Sequence, residues 1–361
     1  MGDIILKDVA GKLKKTLRAT DYLARIGSDE FMILLPETRL GEGVRVAEKV
    51  RLAVSSTIVE ISPKESIPVT ASMGLVNIDP VDLGRSEVSI NELLSKAHFV
   101  LHQSKVSGKN KVSYPGQDPS LEIDVSEFAK KFTGERHLKA VMQPIFELDS
   151  MKESAFEFLS RSALTGFEMP EDFFRASLEA QMLTMVDHEC LRTCVMAASS
   201  LRGEVRRHVN LFPSTMIGIP TKNLIETFAE DAGEAGYCLE ISEQQIIGDP
   251  SYLLAPVEAL RREGILIAID DLGFGRSCLE SLILLEPDIV KIDKRCVIGI
   301  SSNKAAVRSL KRLLHMAASL DAEVIAEGIE TQEDLDTLKS LGVRYGQGFL
   351  LGRPVASPVT Q

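Results

Sequence analysis

The segment GILIAIDDLGFG, residues 264–275, decides the fold of this chain. Its run of aliphatic residues is typical of a buried strand, and the run ends at two adjacent carboxylates, Asp270 and Asp271, followed by a glycine-containing turn. Unpaired charged groups are costly inside a core. We therefore expect both acids to lie at the open end of the strand, where a functional site would use them.

The composition is that of a folded globular protein. The chain has 361 residues, of which 44% are hydrophobic and 26% are charged, which is enough for two domains and a large core. No apolar stretch approaches the roughly 20 residues of a membrane span, and the N-terminus lacks the apolar segment of a signal peptide. The five cysteines form no CxxC pair, as expected for free thiols. We therefore predict a cytoplasmic protein with no membrane span in this chain.

The formal net charge of −11 argues against an extended nucleic-acid surface, because phosphate backbones are bound by clustered Lys and Arg. We therefore predict no nucleic-acid partner. An anionic ligand would need positive charge that is supplied locally at its site. Metal ions bound by carboxylates are one source of such charge.

Two regions of the chain differ in their pattern of elements. Residues 1–113 alternate amphipathic helices with a hairpin around Gly27-Ser28 and a strand over 67–78, which predicts a small α/β domain. Turn formers at the start of 114–135, followed by an amphipathic stretch, predict a linker helix. Residues 136–361 contain short apolar runs separated by helical patterns, which is typical of repeated βα units and a parallel sheet.

Eight strand-like runs follow one another in the second region and predict a TIM-type (β/α)8 barrel. The runs are KAVMQPIFEL, SAFEFLSRS, RHVNLFP, GYCLEISE, ILIAIDD, DIVKID, AEVIAEGIE and RYGQGFLLG. The active sites of such barrels lie where the carboxyl ends of the strands converge. The polar residues near those ends are Gln143, Glu157, Asn210, Glu240, Asp270, Asp271, Lys291, Glu327 and Gln347.

The residue types in this set predict a metal site. Several carboxylates that point toward one place repel one another in a low-dielectric mouth unless cations neutralise them. The donors are carboxylate and amide oxygens, without His or Cys at these positions, and such donors favour Mg²⁺ or Mn²⁺ over Zn²⁺. Adjacent Asp270 and Asp271 can flank two metals about 4 Å apart, the arrangement that promotes in-line attack on phosphodiesters. Lys291 would then stabilise or deprotonate the attacking water.

The same motifs resemble those of the EAL family of cyclic di-GMP phosphodiesterases over residues 136–355. The segment EFLSR, residues 157–161, is similar to the family signature, with Phe158 in place of its alanine. The other matching segments, in order, are NLFP at Asn210, EISE from Glu240 to Glu243, DDLGFG at Asp270, KID at Lys291, AEGIE at Glu327 and QGFLLGRP at Gln347.

The resemblance implies an enzyme that opens cyclic di-GMP to linear pGpG with two Mg²⁺ or Mn²⁺ ions. It implies that these ions are held by Glu157, Asn210, Glu240, Asp270, Asp271 and Glu327. It further implies that Lys291, Glu327 and Gln347 position or activate the water, and that Glu243 supports catalysis as the anchor of the following loop. Arg161 would contact a substrate phosphate, with Gln143 and Asp271 as further substrate contacts. A barrel homodimer and inhibition by Ca²⁺ are also implied.

Departures from the family pattern leave other functions open. Leu272 and Phe274 replace the family's Phe and Thr in the loop after the double aspartate, and Ser162 stands where active members often carry Trp. These changes favour weaker binding or slower turnover. A receptor that binds cyclic di-GMP with little or no hydrolysis is therefore one alternative to the phosphodiesterase. A scaffold whose first domain contacts other proteins is another, but the complete ligand set argues against a vestigial barrel.

The first region resembles the C-terminal part of a GGDEF diguanylate cyclase domain. RIGSDEF, residues 25–31, is similar to the signature loop with Ser28 in place of its second glycine, and SKVSGKNKV, residues 104–112, resembles the end of the domain. Arg18 and Asp21 match the family's RxxD inhibitory site. The first strand and helix of that family, which carry metal- and guanine-binding groups, have no counterpart here. We therefore predict a truncated, degenerate domain without cyclase activity.

Overall fold

The computed structural model describes residues 2–26, 29–56, 58–62, 65–78, 93–94, 97, 100–101, 104–105, 108–115, 125–134, 137–180, 182–201, 205–228, 236–246, 250–273 and 278–357. The chain forms two compact units, one within Met1–Glu122 and the other over Ile123–Ile246 and Pro250–Gln361. Among the described helices, none is both long enough and apolar enough to cross a lipid bilayer.

The first unit is a small α/β structure. Strands β1 (Tyr22–Arg25) and β2 (Phe31–Leu34) pair antiparallel and confirm the predicted hairpin, although Gly27-Ser28 lies outside the described residues. Helices α1 (Gly2–Thr16) and α2 (Leu40–Ser55) supply the buried core of this unit. The core residues are Val9, Leu13, Val50 and Val54, with Leu23, Phe31 and Ile33 of the hairpin packed against them.

The prediction of one strand over 67–78 is wrong. Strand β3 (Ile58–Ser62) pairs antiparallel with β4 (Glu65–Pro68), whereas β5 (Met73–Gly74) pairs parallel with β6 (Val112–Ser113). Proline has no backbone N–H to give to a ladder, so Pro68 ends β4 instead of continuing it toward β5.

The RxxD pair lies in the turn between α1 and β1. The Asp21 carboxylate accepts a hydrogen bond from the backbone N–H of Arg18, with N···O 2.7 Å. The backbone N–H of Asp21 in turn donates to the Arg18 carbonyl at 3.1 Å. The Arg18 side chain is exposed. The pair therefore closes a local turn, and a role in ligand binding stays a prediction.

The second unit is a closed eight-stranded barrel, which confirms the predicted fold class. The strands pair in chain order, and the last pairs with the first to close the sheet. They are β7 (Leu138–Glu147), β8 (Lys152–Ser162), β9 (Arg206–Asn210), β10 (Tyr237–Ser242), β11 (Leu266–Leu272), β12 (Ile289–Ile292), β13 (Glu323–Ala326) and β14 (Tyr345–Gly346). A short strand, β15 (Val355–Ala356), also pairs with β7.

Helices cover the outside of this sheet. They are α3 (Val125–Gly134), α4 (Pro170–Glu179), α5 (Leu183–Ala198), α6 (Pro213–Gly218), α7 (Thr221–Phe228), α8 (Leu254–Arg262), α9 (Cys278–Leu285), α10 (Lys294–Val297), α11 (Lys304–Ser319) and α12 (Gln332–Ser340). Short 3₁₀ helices span Glu243–Gln245, Pro250–Leu253 and Ile300–Ser302. Helix α3, which lies in the predicted linker, packs Phe128 against Phe167 and Phe173 inside this unit.

The sheet is not all parallel, contrary to the prediction. Strand β7 runs antiparallel to both β8 and β14. Residues 148–151 join β7 to β8 through a tight turn with Met151 at φ +53°, too short for the crossover that a parallel pair needs. The carboxyl end of β7 therefore points away from the mouth, and Gln143 reaches the mouth from mid-strand, opposite Glu157 in the register.

An apolar layer inside the barrel supports the polar mouth. Six side chains from six strands pack together, and each is at most 3% exposed: Ile145, Ala155, Cys238, Ala268, Ile289 and Ile325. Alternate residues of a strand face the same side, so the next inward positions form a second layer above them. That second layer consists of Gln143, Glu157, Glu240, Asp270, Lys291 and Glu327.

A buried carboxyl on α5 holds the chain just after β9. Asp187, 3% exposed, accepts a hydrogen bond from the backbone N–H of Phe212, two residues past Asn210. Burial raises the pKa of Asp187 to about 7. The carboxyl therefore keeps its proton in the folded chain at pH values where an unfolded chain has lost it, so its contribution to stability falls as pH rises from about 4 to 7.

We expect Asp187→Asn to remove this pH dependence. As the pH rises from 4.5 to 8, the free energy of unfolding of the variant should increase relative to that of the original chain. The increase should be at most about 4 kcal/mol, because each unit of pKa shift corresponds to about 1.36 kcal/mol. Thermal unfolding across that range measures the difference. The control is Asp149→Asn on the exposed turn after β7, which changes the net charge equally. The same pH trend in both variants would mean that burial of Asp187 is not the cause.

Candidate metal centre at the barrel mouth

Lys291 on β12 lies at the centre of the mouth. Its side chain is fully buried, and Nζ lies 2.8 Å from a carboxylate oxygen of Glu240, 2.9 Å from Glu327 and 3.1 Å from Glu157. Asp270 is 3.7 Å away. Burial opposes the positive charge, but these four carboxylates outweigh it and raise the pKa of Lys291 well above its usual value. The site is therefore built around a permanent cation.

Two amides fix the carboxylate of Glu157 in the signature segment. Gln347 Nε2 donates to Glu157 Oε2 at 2.7 Å and to Glu327 Oε1 at 2.8 Å. Asn210 Nδ2 donates to the other Glu157 oxygen at 3.0 Å. Burial would raise the pKa of Glu157, but Lys291 and the two amides lower it to about 2. Glu157 is therefore ionised, and both of its oxygens have fixed directions.

The position of Gln347 depends on the glycine that follows it. A Cβ on Gly348 would lie 2.2 Å from the backbone nitrogen of Ile329, so only glycine fits here. The close approach allows the Ile329 N–H to donate to the Gln347 carbonyl at 3.1 Å. Backbone packing thus holds the amide of Gln347 over the carboxylates.

A bulge turns both aspartates of the opening segment toward the mouth. Adjacent residues of a regular strand face opposite sides, but the β11–β12 register shifts between Ile269 and Leu272. Asp271 takes the left-handed conformation at φ +60°. Its backbone N–H donates to Asp270 Oδ1 at 2.8 Å, and its carboxylate accepts from Ser242 Oγ at 3.2 Å. Oxygens of Asp270, Asp271 and Glu327 consequently lie within 4.8 Å of one another.

The mouth holds more carboxylates than positive charge. Burial raises the pKa of Asp270 to about 6, and Asp271 and Glu157 add to the effect. Burial, with the charge of Asp270, raises the pKa of Glu327 to about 8. Burial, with the charge of Glu157, also raises the pKa of Glu240. These groups resist ionisation because Lys291 alone, among the described residues, provides contacting positive charge.

Divalent cations fit this donor set. The converging groups are carboxylate oxygens with one amide, hard donors of the kind that Mg²⁺ and Mn²⁺ prefer. A bound cation would also supply the positive charge that the raised pKa values show to be missing. Residues able to hold it are Glu157, Asn210, Glu240, Asp270, Asp271 and Glu327.

A cleft of about 290 Å³ opens beside this cluster. Arg161 lines it, with Nη1 donating to the Ser160 carbonyl at 2.8 Å. Gln143 and Glu243 do not line it: Gln143 donates its amide to the Gly352 carbonyl at 3.0 Å, and Glu243 begins the 3₁₀ helix after β10. Residues 274–277, which include Phe274 and the loop predicted to be anchored by Glu243, lie outside the described ranges.

Two further side chains touch the cluster and were not predicted. His208 Nδ1 lies 2.7 Å from Glu240 Oε1, and both side chains are fully buried. Burial, together with the charge of Lys291, lowers the pKa of His208 to about 3. Ser242 donates to Asp271. The sequence could have identified both residues, because alternate residues of a strand face the same side. His208 lies two residues before the predicted ligand Asn210, and Ser242 lies two residues after the predicted ligand Glu240.

The fold and the mouth together define a barrel protein with an oxygen-rich candidate metal centre. The chain belongs to the EAL domain family, whose model matches residues 127–354. A second family model, for the GGDEF domain of diguanylate cyclases, matches residues 1–111. Both resemblances drawn from the sequence motifs are thereby confirmed.

Curated relatives match nearly the whole length of this chain. Cyclic di-GMP phosphodiesterase NbdA of Pseudomonas aeruginosa is 27% identical over 98% of this chain and 46% of its own length. MucR of the same species, named a bifunctional diguanylate cyclase/cyclic di-GMP phosphodiesterase, is 26% identical over 98% of this chain and 53% of MucR. The chain thus spans about half the length of these relatives.

A solved structure also resembles the chain. BlrP1 of Klebsiella pneumoniae, in complex with manganese and cyclic di-GMP, matches with a TM-score of 0.56 and 28% identity. The match covers 62% of this chain and 57% of BlrP1. The metal and the nucleotide belong to that protein's crystal, and the likeness places this barrel in the same structural class.

Replacing the central lysine should destabilise the barrel. We expect Lys291→Met to lower the free energy of unfolding by about 3–5 kcal/mol, because the buried carboxylates of Glu157 and Glu240 and the partly buried carboxylate of Glu327 lose the cation that contacts them. Calorimetry in EDTA at pH 7 measures the effect on the second unit. Lys294→Met, at an exposed lysine on α10, is the matched control. Equal unfolding temperatures for the two variants would contradict a central role for the lysine in stability.

Proposed function

We propose that the second unit hydrolyses one phosphodiester bond of cyclic di-GMP to give linear pGpG, with two Mg²⁺ or Mn²⁺ ions as cofactors. The observation that supports this most is the excess of buried carboxylates around Lys291, beside a cleft that carries Arg161. A polyanionic substrate needs compensating cations, and the raised pKa values of the acids indicate the same need. The relatives named as cyclic di-GMP phosphodiesterases favour this substrate.

The proposed metal ligands are Glu157, Asn210, Glu240, Asp270, Asp271 and Glu327. Bound there, the ions would polarise the scissile phosphate and lower the pKa of a bound water. The chain's own contribution is orientation. Asn210 and Gln347 already bind both oxygens of Glu157, and the bulge at Asp271 adds a second carboxylate from the same strand.

Lys291, Glu327 and Gln347 form the proposed water-positioning group. Lys291 Nζ and Gln347 Nε2 each contact Glu327. A water bound between these groups would therefore meet two hydrogen-bond donors and one carboxylate. Arg161 would bind a non-bridging phosphate oxygen in the cleft. Gln143 and Asp271 are proposed as further substrate contacts. Glu243 is proposed to act through the loop that follows the double aspartate.

A receptor with slow turnover is the second candidate, favoured by Ser162. Its Oγ accepts a hydrogen bond from the Leu164 N–H at 3.1 Å and so closes a local turn beside Arg161. A small hydroxyl used in this way offers the substrate less contact area than the large aromatic residue expected there. The cleft would then bind the nucleotide but make fewer of the contacts that strengthen in the transition state, so turnover would be slow.

We propose the rest of the organisation from the sequence patterns. A GGDEF unit over 1–113 and a linker over 114–135 would precede the EAL domain at 136–361 without taking part in hydrolysis. The barrel would form a homodimer in the cytoplasm, and Ca²⁺ would inhibit it. Analytical ultracentrifugation tests the dimer, and a monomer at micromolar concentration would contradict it.

The assay incubates the purified chain with cyclic di-GMP and Mg²⁺ or Mn²⁺, follows pGpG by chromatography and titrates nucleotide binding in Ca²⁺ in parallel. Product that depends on the metal supports the phosphodiesterase. Tight binding without product supports the receptor instead. Absence of both would reject the two proposals and leave the scaffold.

Removing a proposed metal ligand should abolish turnover. We expect Glu157→Ala and Asp270→Ala to lower kcat by at least a hundredfold, about 2.7 kcal/mol, because each removes a carboxylate that holds the ions. Initial rates of pGpG formation at saturating Mn²⁺ measure the effect. Glu153→Ala, on the same strand as Glu157 but exposed, is the control. Unchanged hydrolysis by either ligand variant would refute the assignment.

Removing the cleft arginine should weaken substrate binding. We expect Arg161→Ala to raise KM about tenfold or more, the effect of losing a charged hydrogen bond, with a smaller change in kcat. Arg192→Ala removes an exposed arginine from α5 and serves as the charge-matched control. If Arg161→Ala lowered kcat and left KM unchanged, its proposed contact with the ground-state phosphate would be wrong.

A further inference from the structure

His208 lies directly beneath the carboxylate cluster, at the floor of the mouth. It faces inward on β9 between Glu157 of β8 and Cys238 of β10, its partners in the strand register. The side chain is fully buried. It is therefore a polar ring at the boundary between the apolar layer and the acids.

The ring fixes the orientation of Glu240. Glu240 Oε1 lies 2.7 Å from His208 Nδ1, and Oε2 lies 2.8 Å from Lys291 Nζ. A carboxylate with both oxygens engaged on different sides cannot rotate about its last bond without losing one contact. Amides restrain Glu157 in the same manner. Glu240 receives no such amide among the described contacts, and the imidazole takes that place.

The contacts of the ring also decide its tautomer. With a metal ion bound, Glu240 would be ionised and would accept hydrogen bonds, so the hydrogen of the ring would be on Nδ1. Nε2 is then a bare acceptor, and among the described residues it has no hydrogen-bond partner.

We propose that His208 is a positioning residue for the metal centre. Its Nδ1 donates to Glu240 Oε1 and holds that carboxylate in the orientation in which it would serve as a metal ligand. The inference rests on the proposed function, because it assigns a role in the same site. Hydrogen bonds of this kind orient metal ligands, and their loss typically lowers metal affinity about 10- to 100-fold.

The experiment measures Mn²⁺ binding to the full chain by isothermal titration calorimetry, without nucleotide. Three variants separate the contact from packing. His208→Leu removes the donor, His208→Asn places an amide nitrogen near the position of Nδ1, and His208→Gln places it near that of Nε2. His188→Leu is the matched control, since His188 is a partly buried histidine on α5 that contacts Thr227. Thermal unfolding in EDTA identifies any variant that fails to fold.

We expect His208→Leu and His208→Gln to weaken Mn²⁺ binding about 10- to 100-fold, and His208→Asn to keep most of the affinity. His188→Leu should bind as the original chain does. Equal Mn²⁺ affinities in the Asn and Gln variants would overturn the inference, even if the Leu variant did not fold. An unchanged Mn²⁺ affinity in a folded Leu variant would also overturn it. Failure of the original chain to bind Mn²⁺ would overturn the proposed function itself, which distinguishes the two failures.

Discussion

The ion-pair cluster around Lys291 is the constraint on which the rest of the barrel mouth depends. One fully buried ammonium contacts carboxylates from three other strands and lies near a fourth. Removing so many charges from water is unfavourable unless they satisfy one another, so the strands must converge closely enough for these contacts to form. The closed sheet provides that convergence, and the apolar layer beneath keeps water away from it.

The cluster is not balanced by the protein alone. The raised pKa values of Asp270, Glu240 and Glu327 mean that burial in the folded chain disfavours the ionised form of these acids. Such an arrangement lowers stability and is retained where the charges serve a function. A divalent cation would relieve the excess negative charge, so cofactor binding and stability of the barrel are expected to be linked.

Local backbone features determine which oxygens face inward. The bulge on β11 and the left-handed Asp271 allow two consecutive residues to serve one site, which a regular strand forbids. Because β7 runs in the reversed direction, Gln143 reaches the mouth from the middle of its strand, opposite Glu157 in the register. Gly348 permits the backbone approach that holds Gln347 over Glu157 and Glu327. Each of these features belongs to the backbone, and each directs a side chain toward the mouth.

The sequence by itself determined the eight strands, the fold class and the polar residues of the mouth, because alternation of apolar and polar residues and the order of motifs are local properties of the chain. Tertiary structure alone decided the antiparallel pairing of β7 and the contact of His208 with Glu240. These depend on turn geometry and on which strands become neighbours. The sequence around His208, two residues before Asn210, is that of a buried strand and gives no sign of a polar contact. Only the placement of β9 beside β10 brings His208 to the carboxylate of Glu240.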